Sequence, residues 1–225
     1  MSSAPPDRTI GMTADVEVEV EGLDGYTGGE LDAGFVIEDA RLDASASLAG
    51  AEAGSGQVTN VLLDGVRAAA SRLRGVRLRH VLADNVDGSN ADWTGARMTR
   101  VIFQECRLTG MQLPEAELHQ VAFRKCKLDY ANLRMARLSH VTFEDCVVEE
   151  ADFAHARLEL ARFASCAIRN SDFRGVELSE VDFRGSELVF RGDARSLSGA
   201  ILSPLQLIDI SDALARAIGI RVDEE

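Results

Sequence analysis

No stretch of this 225-residue chain approaches the roughly 18 consecutive apolar residues that a membrane-spanning helix needs. Residues 1–8 carry no basic segment leading into an apolar one, so a cytoplasmic location and no membrane partner are the expectation. A basic surface is missing too. The 37 acidic residues outnumber the 24 Lys and Arg and leave a net charge of −13, which argues against direct nucleic-acid binding. Helical and strand periodicities are absent from most of the chain: apolar residues recur neither near every 3.6 residues nor at every second one. Cysteine and histidine number only 4 each, too few for dense metal or redox chemistry.

What the chain does have is a period of five. From Val61 to Leu188 a small residue stands two positions before one that is large and apolar in most pentads, and the five-residue register runs without a slip. Every fourth pentad repeats its residue type, as in the column Leu63, Ala83, Phe103, Phe123, Phe143, Phe163, Phe183 and its small partners Val61, Val81, Val101, Val121, Val141, Ala161, Val181. Two inward positions in five fit a square coil of four short sides, and phenylalanines twenty apart then stack one above another. Neighbouring coils are expected about 4.8 Å apart, which makes the run roughly six and a half coils and 30 Å long. Each coil contacts only its neighbours. Ala68, Ala83 and Gly88 are the weakest members of the large columns, so the first two coils are expected to be the looser end.

The pentads Ala91-Asp92-Trp93, Ala131-Asn132-Leu133, Ala151-Asp152-Phe153 and Ser171-Asp172-Phe173 match A-(D/N)-(L/F)-x-x, and the run resembles the pentapeptide-repeat family. The resemblance implies an all-β fold: a right-handed quadrilateral parallel β-helix, here followed by a short C-terminal α-helix. It implies a non-catalytic interaction scaffold with a protein partner and no cofactor. Some bacterial members bind DNA gyrase by imitating duplex DNA, which gives the alternative of a gyrase or topoisomerase binder conferring fluoroquinolone resistance. It also makes a bacterial cytosol the expected setting. Fold alone does not decide between these functions.

Charge is unevenly spread. Residues 1–60 hold 12 acids and 2 bases (net −10), residues 61–190 hold 19 and 18 (net −1), and residues 191–225 hold 6 and 4 (net −2). A nearly neutral rod weighs against DNA mimicry. The expected organisation is an acidic N-terminal segment (1–60), the β-helix (61–190) and a C-terminal cap or dimerisation element (191–225). In the first, Val16-Glu17-Val18-Glu19-Val20 alternates as a strand does, and degenerate pentads follow at Phe35/Ile37, Ala40/Leu42 and Ala46/Leu48. The first two of these are one residue out of phase, a shift expected to be absorbed in the small-residue stretch Gly50–Gln57.

Ser203-Pro204 reads as a helix N-cap with proline at the first helical position, and Gly219 as a stop. Leu207, Ile210, Leu214 and Ile218 are expected to form one face of that helix, either closing the last coil or joining two chains as a homodimer. Outward positions Leu62, Leu82 and Ile102, with Ala122 beyond, form an apolar strip that either receives the N-terminal strand or mediates self-association. The acidic cluster Glu144, Asp145, Glu149, Glu150 and Asp152 is the candidate for docking a basic region of a partner.

Two constellations invite chemistry and fail on geometry. Cys106, Cys126, Cys146 and Cys166 lie twenty apart, so they form a line rather than the tetrahedron zinc requires, and core filling is expected. His80, His119, His140 and His155 do not converge on one point, although His119 and His140 come from adjacent coils. No serine or cysteine is matched with a base and an orienting group. Arg67, Arg72, Arg74, Arg77 and Arg79 crowd the first coil, and Arg97, Arg100, Arg137 and Arg157 continue a stripe that Glu117, Glu159, Glu177 and Glu180 interrupt.

Overall fold

The computed structural model describes residues 23–25 and 31–221. They build a parallel β-solenoid of about eight turns with short helices at its C-terminal end. The predicted strand at 16–20 lies outside the described residues.

A left-handed backbone marks the corners. Every fifth residue from Asn60 to Gly185 has positive φ without exception, and most are not glycine: Ala70 (φ 55°), Lys125 (51°), Tyr130 (57°) and Leu160 (50°) are among them. An L-residue pays roughly 1–2 kcal/mol for this conformation. The hydrogen bonding of the coils holds it in place: the corner N–H of Asn85 donates to Gln104 O (2.9 Å), that of Glu105 to Arg124 O (2.9 Å) and that of Tyr130 to Glu149 O (2.8 Å). The pentad's acidic or amide residue braces the turn from outside. Oδ1 of Asp92, Asn132, Asp152, Asp172 and Asp182 each accepts the backbone N–H two residues on.

Two sides of the square are joined into one bent sheet. Strands Gln57–Asp64, Arg77–Asp84, Arg97–Gln104, Glu117–Arg124 and Arg137–Glu144 run parallel and in register twenty residues apart, each turning a corner at its fourth residue. The other sides are held by short strands and single bridges such as Arg107↔Lys127 and Asn132↔Asp152. Inside, Phe103, Phe123, Phe143, Phe163 and Phe183 stack with centroids 4.5–5.1 Å apart and planes within 10°. Phe153 and Phe173 form a second stack and meet the first edge-on at 6.3 and 6.0 Å. Stacking at coil spacing combines burial with favourable ring geometry.

The rod begins below the expected boundary at residue 61. Val36–Leu42 pairs with Gln57–Asp64, and Ile37, Ala40, Leu42 and Ala46 are buried in the same core as the regular coils. The phase shift also lies elsewhere than predicted. Leu42 pairs with Leu63, twenty-one residues away, whereas Ser47 already pairs with Arg67, twenty away. The additional residue is therefore absorbed in the turn after Leu42, where Asp43 accepts from the Ser45 N–H and hydroxyl, and not in Gly50–Gln57. The first coils are looser, as their small residues imply: an apolar cavity of about 30 Å³ is lined there by Phe35, Ala68, Ala83, Trp93 and Phe103 among others.

The C-terminal helix is broken into two, α1 (Pro204–Asp209) and α2 (Ser211–Ala217). Ser203 and Gln206 form a capping box at the start of α1. Gln206 has a second duty. Along the rod a buried thiol or hydroxyl donates to the carbonyl twenty-three residues earlier: Cys106 to Ala83, Cys126 to Phe103, Cys146 to Phe123, Cys166 to Phe143 and Ser186 to Phe163. Gln206 Nε2 continues the series to Phe183 O (2.7 Å) and also reaches Ser186 O (2.8 Å). The cap thus supplies the donor that a further coil would have provided. Beneath it, Gly199 (φ 91°) passes so close that a Cβ would lie 2.0 Å from Leu178 O.

Replacing Gln206 with alanine leaves two buried carbonyls without that donor, and a loss of about 1–3 kcal/mol is expected. Denaturant titration of both proteins measures it; an unchanged midpoint would mean the cap does not close the coil.

Candidate functional site

The side chains singled out in the sequence fall into separate places. Glu144 ends a strand, Asp145 and Glu150 sit on successive left-handed corners, and Glu149 and Asp152 lie on the next two sides. These five acids therefore wrap around part of one coil and do not form a single patch. Two are already engaged: Glu144 with Arg124 (3.7 Å) and Asp152 with Arg134 (3.2 Å).

The same pairing recurs at several places on the exterior. Arg97 and Arg137 both approach Glu117 (3.3 and 3.9 Å), Arg157 meets Glu177 (2.9 Å), Lys125 meets Glu105 (3.2 Å) and Arg169 meets Glu187 (2.6 Å). Arg72 of the first coil pairs with Glu52, and Arg74 with Asp92. Most partners are eighteen or twenty residues apart, so coil stacking itself brings opposite charges together. Exposed pairs of this kind contribute little stability individually. Their consequence is electrostatic: where such pairs form, opposite charges on stacked coils offset one another.

Buried members of this network have shifted acidity. The Asp172 carboxyl is held below its ordinary value by Arg174, which donates from both guanidinium and backbone N–H. For Asp92 and Asp182 partial burial pushes upward, but hydrogen bonds from Thr94 and Arg74, and from Arg184, outweigh it and the net shift is downward.

The four cysteines are all free and buried. Contact with the sulfur one coil below, followed by burial, pushes the Cys126 and Cys146 thiols up to about 12, and that of Cys166 upward as well. Such thiols are poor nucleophiles at neutral pH. Their place is structural, as donors to the corner carbonyls. His119 and His140 meet edge-on at 5.4 Å, and the Ser139 hydroxyl lies 2.9 Å from His140 Nδ1. His80 instead lies 3.3 Å from Arg100. Among the described residues no group of three or more His, Cys, Asp or Glu is placed to hold a metal ion.

The outward strip is continuous in register, Leu62↔Leu82↔Ile102↔Ala122. Leu82, Ile102 and Ala122 form an apolar cluster apart from the core; Ile102 is 4% exposed and Leu82 half-buried. The C-terminal face differs from expectation. The helix breaks at Ile210, which turns into the rod and is buried, and Leu214 is half-buried. Leu207 and Ile218 remain exposed, as do Leu205, Ile208 and Ile220, five large apolar side chains in the C-terminal helical segment. A groove of about 370 Å³ beside it is lined by Glu187, Val189, Phe190, Asp209 and Ile210 among others. Sequence reasoning also missed Tyr130 and Met135, 58% and 51% exposed at two successive corners of one coil. Their positions two residues after Leu128 and Leu133 put them at corners, which was the available signal.

Family models for pentapeptide repeats match this register directly: a pentapeptide repeat region model at 96–159 and 116–190, and an eight-copy pentapeptide repeats model at 71–110. The chain belongs to the pentapeptide-repeat family. Comparison with curated proteins yields no match. Solved pentapeptide-repeat structures are similar only distantly. Full-length QnrB1, a plasmid-mediated fluoroquinolone resistance protein, is 17% identical over 85% of this chain and 100% of its own, with a TM-score of 0.34. HetL from Nostoc sp. strain PCC 7120, involved in heterocyst differentiation regulation, is 19% identical over 74% and 84% (TM-score 0.37). A thylakoid-lumen member from Arabidopsis thaliana is 20% identical over 43% and 68% (TM-score 0.41).

The depressed carboxylates give a signed expectation. Their folded values lie below the ordinary 3.8, so the stability they supply is complete above that value and is lost as pH falls through the folded values. The melting temperature should hold level from neutral pH down to about pH 5 and drop below about pH 4. Asp172→Asn keeps an acceptor for the Arg174 N–H but loses the charge, and should flatten that drop in thermal melts across pH. An identical acid profile would show that Asp172 is not a source of it.

Proposed function

We propose that this pentapeptide-repeat chain is a non-catalytic cytoplasmic scaffold that binds a protein partner through the outside of its rod. The filled interior carries this reading. Phenylalanine stacks and paired small residues occupy the axis of the described rod, where the cavity of about 30 Å³ is too small to enclose a substrate. The thiols of Cys126, Cys146 and Cys166 are held protonated, and the contact of Ser139 with His140 lies at a corner of the rod, outside that filled interior. Exposed Tyr130 and Met135 are residue types favoured in protein contacts.

A second reading is a DNA-mimicking binder of DNA gyrase or another topoisomerase, with fluoroquinolone resistance as its consequence. The exposed apolar side chains Leu205, Leu207, Ile208, Ile218 and Ile220 of the C-terminal segment favour it, since two rods joined there would double the length offered to a groove. Charge compensation along the rod weighs against it. A mimic needs a field that steers it into a basic groove, and such a field weakens steeply with salt.

A gyrase supercoiling assay separates the two, run with and without a fluoroquinolone at low and high salt. The scaffold reading expects no inhibition and no drug protection at micromolar protein. Salt-sensitive inhibition or protection would establish the second reading in its place.

A further inference from the structure

Strands Arg77–Asp84 and Arg97–Gln104 lie side by side and put Arg77, Arg79, His80, Arg97 and Arg100 on the outside of two adjacent coils. All five are exposed. Arg97 approaches Glu117, and Arg100 meets only the neutral Gln120 and the His80 ring, each at 3.3 Å. Arg77 and Arg79 have no side-chain hydrogen bond or ion pair among the described residues.

Register leaves these cations uncompensated. Arg77 stands between Gln57 and Arg97, and Arg79 between Thr59 and Thr99, so neither has a carboxylate on the neighbouring coils of its column. The like-charged pair Arg137 and Arg157 differs, because Glu117 and Glu177 flank it and take both guanidiniums. Like charges held opposite one another in a sheet are destabilising. The stacking of Arg77 on Arg97 brings the folded chain no contact within itself, and an anion from outside would relieve it.

Spacing defines the anion. Residues two apart on a strand point to the same side about 7 Å from each other, and adjacent coils lie about 5 Å apart. Arg77 and Arg79 thus match carboxylates at alternate positions of an extended chain, with Arg97 and Arg100 alongside. Glu117 stands above Arg97, and Glu38 two coils below Arg79. A long polyanion laid along the rod axis, such as nucleic acid, would cross both carboxylates. A short segment laid along the strands lies against the arginines. Screening beyond about 8 Å at physiological salt makes it feel this face more than the chain's net charge of −13.

We propose that this face docks an extended acidic segment of a protein partner, whose carboxylates at alternate positions pair with Arg77 and Arg79 and whose neighbouring acids reach Arg100. This docking surface rests on the scaffold reading and gives the chemistry of the scaffold's partner.

The test follows the fluorescence anisotropy of a labelled peptide alternating glutamate with serine, titrated with the full-length protein at low and high salt. Saturable binding that weakens with salt is the expected result. The triple variant Arg77→Gln, Arg79→Gln, Arg100→Gln should bind at least about tenfold more weakly. A control of equal charge, Lys125→Gln, Arg134→Gln, Arg157→Gln, removes cations already paired with Glu105, Asp152 and Glu177 and should bind as the unaltered chain does. The first variant should melt no lower than the unaltered chain, because the repulsion between Arg77 and Arg97 is gone; a lower melting temperature would mean that these arginines serve the fold instead. No binding, equal loss in both variants, or tighter binding of a single-stranded oligonucleotide of matched charge would each overturn the acidic-segment surface. Absence of peptide binding leaves the scaffold reading standing, whereas salt-sensitive gyrase inhibition would remove that reading itself.

Discussion

Every fifth residue between Asn60 and Gly185 turns left-handed, a conformation most side chains avoid. The chain holds it at residues as unsuited as Ala70, Tyr130 and Leu160, whose N–H groups each meet a carbonyl of the coil above. That bond requires the coils to be twenty residues long and stacked in register. Register in turn puts phenylalanine over phenylalanine, thiol over thiol and arginine over glutamate. Core, corner and exterior are consequences of one repeated turn, and none can change its period alone.

The ends show how the pattern is terminated. At the C-terminus Gln206, projecting from a helix, takes the position of the next Cys or Ser donor, and the open carbonyls of Phe183 and Ser186 are satisfied. At the N-terminus the coil persists below the regular repeat through Val36–Leu42, with one additional residue in a turn and a small void beside Ala68 and Ala83. Solenoids need such ends because an uncapped coil exposes both apolar side chains and unpaired backbone. Here the C-terminal end is closed by the hydrogen bonds of Gln206.

Much of the fold was legible because the two inward positions carry a strong residue-type signal, as in the column from Phe103 to Phe183. The ladder role of Asp92, Asp152 and Asp172 was legible only as a motif; that they brace turns through the N–H two residues on became visible in the structure. The Gln206 role was hidden, since a glutamine near a helix start ordinarily suggests a capping box alone. The helix break at Ile210 was also hidden: apolar spacing describes a face whether or not the backbone continues through it. The candidate site was least legible. Acids close in sequence, such as Glu144, Glu149 and Asp152, are separated by corners, while residues twenty apart are in contact, so a linear acidic cluster is spread around part of the coil.

The most direct test of this account is the deletion of whole and partial coils, followed by circular dichroism and denaturant melts. Removing residues 121–140 takes out one complete coil and joins Gln120 to Val141, which continues the corner, the column and the charge register. We expect a folded rod with a single cooperative transition, shortened by about 4.8 Å. Removing residues 121–135 takes out three sides, rotates every later column by a quarter turn and should abolish cooperative unfolding. If the two deletions behave alike, whether both fold or both fail, the twenty-residue coil is not the unit on which this structure is built.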